Sequence, residues 1–334
     1  MRSPSSLHPM LRSILALAFV AGFEGCGGGD GPLDPASGST AEPTAQSAAS
    51  SPVPAEGLAN LTTSQRIVFG SYSSTVYKMD TQGSQREVIL THLPGAHAPA
   101  WSWDNTKLAM VSPRTSNGVT RDDILVLNAD GTNEHWARSQ ASVWDFEDPS
   151  WFPNGSRILM TVKVGGTTPT LGWLEPASGK AGLFWFPGGG AVLGTRPSFN
   201  KAGTKILYVG RYGNTIEQIN ADGSGHTVRI SASVKLDYPS FSPDGGRIAY
   251  QKTPAVGNPD IFVKNLTTGV ITRLTFSTAA DGHPSWSPDG VRIAFMSKRT
   301  GARQIFTMKA AMGGDVLRLS EGNYTEDYDP AWTH

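Results

Sequence analysis

From Ser64 to the end of the chain, apolar residues come in short alternating runs, such as Arg247-Ile-Ala-Tyr and Arg292-Ile-Ala-Phe. That period predicts half-buried strands rather than helices. The runs are punctuated by a Pro followed two residues later by an aromatic: Pro99/Trp101, Pro149/Trp151, Pro197/Phe199, Pro239/Phe241, Pro284/Trp286 and Pro330/Trp332. Successive Pro residues are 50, 48, 42, 45 and 46 residues apart. Eight residues after each of the first five Pro stands a base that opens the next strand: Lys107, Arg157, Lys205, Arg247 and Arg292. Between them lies a turn, as in Pro243-Asp244-Gly245, Pro288-Asp289-Gly290 and Pro153-Asn154-Gly155. Asn or Asp before Gly tolerates the positive φ that a tight hairpin needs.

A third apolar strand follows in each repeat: Val76–Met79, Ile124–Leu127, Leu171–Leu174, Ile216–Ile219, Ile261–Val263 and Ile305–Met308. A Gly-bearing turn ends it, and a fourth strand is clearest in Ile271–Phe276 and Val316–Leu319. Four short strands in a period of about 45 residues predict a propeller blade. The first repeat, opening at Arg66, lacks its Pro-aromatic strand, and the last such strand, around Pro330–Trp332, lacks everything after it. Joined, these fragments make one blade. The expected fold is therefore all-β, a six-bladed β-propeller of four-stranded antiparallel blades over 64–334. Its C-terminal strand completes the first blade and removes the raw edges an open stack would carry.

Two repeats carry a specific resemblance. Tyr238-Pro-Ser-Phe-Ser-Pro-Asp-Gly-Gly-Arg-Ile-Ala-Tyr250 and His283-Pro-Ser-Trp-Ser-Pro-Asp-Gly-Val-Arg-Ile-Ala-Phe295 are similar to TolB-type β-propeller repeats. The resemblance spans residues 64–334 and is looser in the third repeat. TolB proteins carry an α/β domain before the propeller; here only a low-complexity stretch precedes it. The resemblance implies a periplasmic or surface binding protein rather than a reaction.

The N-terminal segment reads as an address. Arg2 and Arg12 precede the apolar run Ser13–Phe23, which is too short to span a bilayer, a task for about 20 residues, but suits a signal-peptide core. The run ends at Gly25-Cys26, and Cys26 is the chain's one cysteine. This resembles a bacterial lipoprotein signal, although Phe23 and Glu24 depart from the usual pattern. It implies removal of residues 1–25 and lipidation of Cys26, and hence an envelope protein held to the outer membrane on its periplasmic or surface side. Residues 27–63 contain no aromatic, Lys or Arg. Such a stretch cannot bury enough apolar surface to offset chain entropy, so residues 26–63 are expected to form a flexible tether.

Composition narrows the function. Lys+Arg and Asp+Glu are equal at 28 each, and the chain after residue 25 stays within one charge of neutral. That lacks the basic footprint of a nucleic-acid binder. A single cysteine excludes a disulfide scaffold and a cysteine-built zinc site. The chain carries no G-x-S-x-G elbow, no H-E-x-x-H and no Walker loop. An enzyme is the lesser reading. Its best form is a metal-assisted carbohydrate-active lyase or hydrolase in which His97 and His283, before Pro99 and Pro284, meet in the channel.

The six aromatics after Pro read as packing between blades rather than as a ligand-stacking ring. The bases opening the second strands read as exposed partners of the turn acids, as Arg292 with Asp289. More informative are the acids before the Pro markers: Glu147, Asp148, Asp237, Asp281, Asp327 and Asp329. In a propeller the connections between blades, and between second and third strands, share one face with the channel mouth. The segments Ser112–Asp122, Lys163–Thr168 and Gln251–Asn258 on that face are irregular, as binding loops are. Each acid can cap a local turn, but six converging on one opening call for a cation or a basic partner. Ca²⁺ suits such oxygens. Arg196 stands where other blades place acids. Arg114, Arg121 and Trp144 extend the same face. The leading expectation is a monomeric, lipid-anchored module binding an envelope protein or peptide with a basic segment.

Overall fold

The computed structural model describes residues 65–71, 74–138, 144–165, 167–320 and 326–334. The expected signal segment, Cys26 and the tether lie outside these residues.

The described chain forms six four-stranded antiparallel sheets. Blade 1 pairs the C-terminal strand Asp327–Trp332 with Arg66–Ser71, Thr75–Asp80 and Glu87–Leu90. Blade 2 comprises His97–Trp101, Lys107–Ser116, Val119–Asn128 and His135–Trp136, and blade 3 Trp144–Trp151, Ile158–Val164, Thr170–Glu175 and Lys180–Leu183. Blade 4 is Gly194–Phe199, Lys205–Gly210, Thr215–Asn220 and Thr227–Ser231, and blade 5 Lys235–Phe241, Arg247–Thr253, Asp260–Asn265 and Ile271–Arg273. Blade 6 is Asp281–Trp286, Arg292–Ser297, Gln304–Lys309 and Leu317–Arg318. The closing register sets Ile67 opposite Trp332 and Ser71 opposite Asp327. Thr333 N–H adds a bond to Arg66 O at 2.9 Å, and Arg66 N–H returns one to Thr333 Oγ1 at 3.1 Å.

The core lies between blades. Six apolar clusters occupy the six interfaces. The last of them, between blades 6 and 1, joins Ala294, Ile305 and Leu319 to Ile67, Phe69, Met79 and Trp332. All six post-proline aromatics are buried there. Their indoles also tie neighbours together: Trp101 Nε1 donates to Ala331 O, Trp151 Nε1 to Ala100 O, and Trp286 Nε1 to Ser240 O, each at 3.2 Å. Each bond crosses from one inner strand to the preceding blade's.

The Ser-Pro-Asp-Gly turns have a common internal network. Ser287 Oγ donates to Asp289 Oδ1 at 2.6 Å and accepts from Arg292 N–H at 2.9 Å, while Gly290 takes φ 70°. Ser242 and Asp244 repeat this arrangement, as do Ser102 and Asp104 in the Ser-Trp-Asp-Asn turn of blade 2. On the same face, the turn between third and fourth strands brings blades together through glycine. A Cβ on Gly313 would meet Leu274 O of blade 5 at 2.1 Å, and one on Gly83 would meet Leu319 O of blade 6 at 2.3 Å. Only glycine permits that approach together with a positive φ.

Three expectations are corrected here. Arg292 is buried and pairs with Asp315 at 2.8 Å rather than with Asp289, whereas Arg247 in blade 5 does meet its turn acid Asp244 at 3.3 Å. Ser112–Asp122 is not an irregular loop; the two strands continue to a tight turn at Asn117-Gly118, both at positive φ. Trp144 opens an inner strand and packs edge-on against Phe146, beside the cluster between blades 2 and 3.

Candidate functional site

Every inner strand breaks register at its Pro. Proline has no N–H to give the ladder, so the strand bulges there. The residue before each Pro takes a left-handed conformation: Ala98 (φ 48°), Asp148 (52°), Arg196 (54°), Tyr238 (49°), His283 (57°) and Asp329 (52°). None is glycine. Such backbone costs about 1–3 kcal/mol per residue and persists where the surroundings impose it, often at functional sites. These six side chains, one per blade, line a cavity of about 150 Å³ at one end of the channel. A second cavity, of about 200 Å³, is lined by the post-proline aromatics with Trp103 and His334 beside the tight turns.

Around the first cavity the side chains are held by partners. Arg196 lies over the Tyr238 ring at 4.2 Å, and its Nη2 donates to Tyr238 Oη at 3.1 Å. Tyr238 in turn stacks on His283 with centroids 3.6 Å apart. The His283 Nδ1 contacts Asp329 Oδ1, and Asp329 Oδ2 accepts from Ala98 N–H at 3.0 Å. Guanidinium, phenol and imidazole therefore form one stack across blades 4, 5 and 6, ending on the blade 1 carboxylate. On the other side, the buried Thr161 hydroxyl donates to Asp148 Oδ2 at 2.9 Å and accepts from Arg196 N–H at 3.0 Å. It thereby fixes two neighbouring ring positions at once.

Environment separates the titrating groups. Burial raises the Asp148 pKa, with Arg196 acting against it. Burial also works against the Asp329 charge, yet His283 and the Ala98 N–H hold its pKa below the ordinary carboxylate value. Burial, then Asp329, push the Tyr238 phenol up, so it stays protonated. Burial disfavours the charge on Arg196, but Asp148, Tyr238 and Asp237 more than restore it.

The sequence-derived residues divide into two sets. Asp148, Arg196, His283 and Asp329 converge on the channel. The other acids stand further back on the strands, each with a cation: Glu147 with Lys163, Asp237 with Arg196 and Lys235, Asp281 with Arg299, and Asp327 with Arg86. Asp237, Asp281 and Asp327 are fully buried in those pairs. His97 sits one residue before the ring position held by Ala98, with its Nδ1 on Gly95 O at 2.8 Å. Arg114 pairs with Asp123, and Arg121 with Asp145. Among the described residues no three His, Cys, Asp or Glu side chains are grouped to hold a metal ion. Tyr238 was not among the candidates; the position directly before each Pro would have found it.

Residues 231–334 match the TolB beta propeller domain. No functionally curated protein matches the chain in sequence. Among solved structures, TolB from Acinetobacter baumannii is similar at 19% identity, covering 83% of this chain and 69% of its own, with a TM-score of 0.65. A TolB from Agrobacterium tumefaciens is similar at 18% identity, covering 76% and 88%, with a TM-score of 0.59. The hydrazine synthase of Kuenenia stuttgartiensis reaches a TM-score of 0.66 at 13% identity, covering 81% of this chain and 47% of its own. At these identities the likeness carries the fold and not the task. With six blades and a strand that closes the ring, the chain is a six-bladed β-propeller whose last third matches the TolB beta propeller domain.

Proposed function

We propose that this chain is a lipid-anchored protein of the bacterial envelope whose propeller binds a protein or peptide partner at the channel mouth bearing the pre-proline ring. The observation that carries this reading is the ring itself. Six non-glycine residues hold a costly conformation at equivalent places, and five of them present polar side chains to one opening. Packing alone does not call for an Arg, a Tyr, a His and two Asp there. The connections on the same face vary from blade to blade, from the long hairpin at Asn117-Gly118 to the exposed Val256 loop. Variable connections over a rigid scaffold suit partner recognition. The Cys26 motif and the 26–63 stretch support a tethered head rather than a freely diffusing one.

A photo-crosslinking amino acid placed at Val256, on the mouth face, or at Thr106, on the tight-turn face, tests this in cells. The expected result is one envelope partner captured from position 256 and not from 106, with capture reduced when Cys26→Ser removes the anchor. Capture from position 106 alone, or capture indifferent to Cys26, would contradict it.

A further inference from the structure

Blade 5 leaves its outer edge bare. All three residues of its fourth strand, Ile271–Arg273, are exposed, whereas the outer strand of every other blade carries buried or half-buried residues. Val270 is 58% exposed, Ile271 49% and Phe276 71%, so the edge is apolar as well. Its bonds to the third strand run through Val270 O, which accepts from Asn265 N–H, and through Leu274 N–H, which donates to Ile261 O. Residues of an antiparallel strand alternate between facing the ladder and facing away from it. The backbone N–H and C=O of Ile271 and Arg273 therefore point outward from the sheet. Among the described residues no strand pairs with them. Both faces of the blade are open beside this edge. Toward blade 6 lies a groove of about 290 Å³, lined by Val263, Val270, Thr272, Leu274, Ala310 and Ala311. Toward blade 4 lies a cavity of about 560 Å³ that holds Lys252, Phe262 and Arg273. Arg273 is engaged by Asp260 at 2.7 Å. The Lys252 ammonium lies over the Phe262 ring at 5.3 Å and meets no carboxylate among the described residues.

We infer that the Ile271–Arg273 edge takes an extended segment of a partner protein as a fifth strand of blade 5, a segment that alternates apolar and acidic side chains. This surface is on the rim of the ring and is separate from the channel mouth. An edge strand with free N–H and C=O groups is a template for another strand, and main-chain bonds supply affinity while pockets for alternate side chains supply specificity. Here the two pockets differ in chemistry. Side chains that share the face of Val270, Thr272 and Leu274 enter the apolar groove toward blade 6. The side chain between them shares the face of Ile271 and Arg273 and passes over Phe262 toward Lys252, where a carboxylate supplies the missing counter-charge. A second copy of the same strand does not suit this face, because its own Arg273 would be set beside Arg273 and Lys252, and like charges directly opposite one another are destabilising.

Fluorescence anisotropy of a labelled, end-blocked peptide, Thr-Val-Glu-Val-Thr, titrated with the full chain tests this. The peptide should bind. N-methylation at its Glu removes the amide that pairs with the edge and should weaken binding about fivefold or more. Ile271→Pro should do the same from the other side, because it removes an outward N–H and leaves the blade's own ladder intact. Lys252→Glu should weaken binding about threefold or more and make the chain prefer the peptide with Lys in place of Glu. Where melting shows that Ile271→Pro disturbs the blade, the N-methylated peptide makes the same test on the unaltered chain. No binding of the parent peptide, equal binding of its N-methylated form, or a charge preference unmoved by Lys252→Glu would overturn the inference. So would a full chain that sediments as a dimer and becomes monomeric on Ile271→Pro, since the edge would then belong to a second copy.

Discussion

Ser242 shows how a single hydroxyl organises a repeat. It is fully buried, donates to Asp244 and accepts the Arg247 N–H at 2.9 Å. The Ser242 bond is the largest influence on Asp244 and holds its pKa below the ordinary value. A carboxylate with a lowered folded pKa adds stability above its unfolded pKa of about 3.9 and loses it as pH falls through the folded value. Ser242→Ala should therefore return the Asp244 titration toward that ordinary value, as followed by NMR. The variant should be less stable than the parent at pH 7, and the gap should narrow below about pH 4. An unchanged Asp244 titration would show that the turn, not the serine, sets its charge. Arg292 teaches the converse. A place eight residues after the blade's Pro suggested a turn-end charge, which Arg247 does make with Asp244 at 3.3 Å and Arg292 does not make with Asp289. The guanidinium instead crosses the sheet to Thr307 and Asp315.

At the level of strands, closure rests on the segment Asp327–Trp332. It pairs with Arg66–Ser71, and Trp332 fills the interface between blades 6 and 1. Deleting 327–334 removes a buried indole, worth about 3–5 kcal/mol, and exposes a raw edge. The expected outcome is a melting temperature lowered by several degrees, with aggregation at high concentration. A truncated chain melting like the parent would show that the ring does not depend on this strand. The strand order was legible because the Pro-aromatic marker recurs and because the first and last repeats are complementary fragments. The inner strands were harder to read, since a β-bulge leaves no hydrophobic pattern. That is why His97 and Tyr238 changed roles by one position: the bulge, not the alternation, decides which residue faces the channel. Asp237, Asp281 and Asp327 were legible as a row of acids, but apart from Lys235 beside Asp237 their cations lie elsewhere in the chain, on Arg196, Arg299 and Arg86. No spacing rule connects them.

For the molecule as a whole, the two channel ends differ in kind. One is walled by post-proline aromatics beside tight turns, two of them Ser-Pro-Asp-Gly. The other gathers Asp148, Arg196, Tyr238, His283 and Asp329 under connections that vary between blades. Packing between blades accounts for the first, because each aromatic is buried and three of the indoles staple adjacent inner strands. It does not account for the second, where left-handed backbone is imposed on charged and aromatic residues. The central claim is that this second end is the functional surface. Hydrogen exchange on the complex with the partner captured through position 256 measures it directly. Protection is expected at inner-strand residues 97–98, 147–148, 195–196, 237–238, 282–283 and 328–329 and in the loop around Val256, with little change at the turns around Asp104, Asp244 and Asp289. Protection confined to those turns, or to the outer strands, would place the functional surface elsewhere on the propeller.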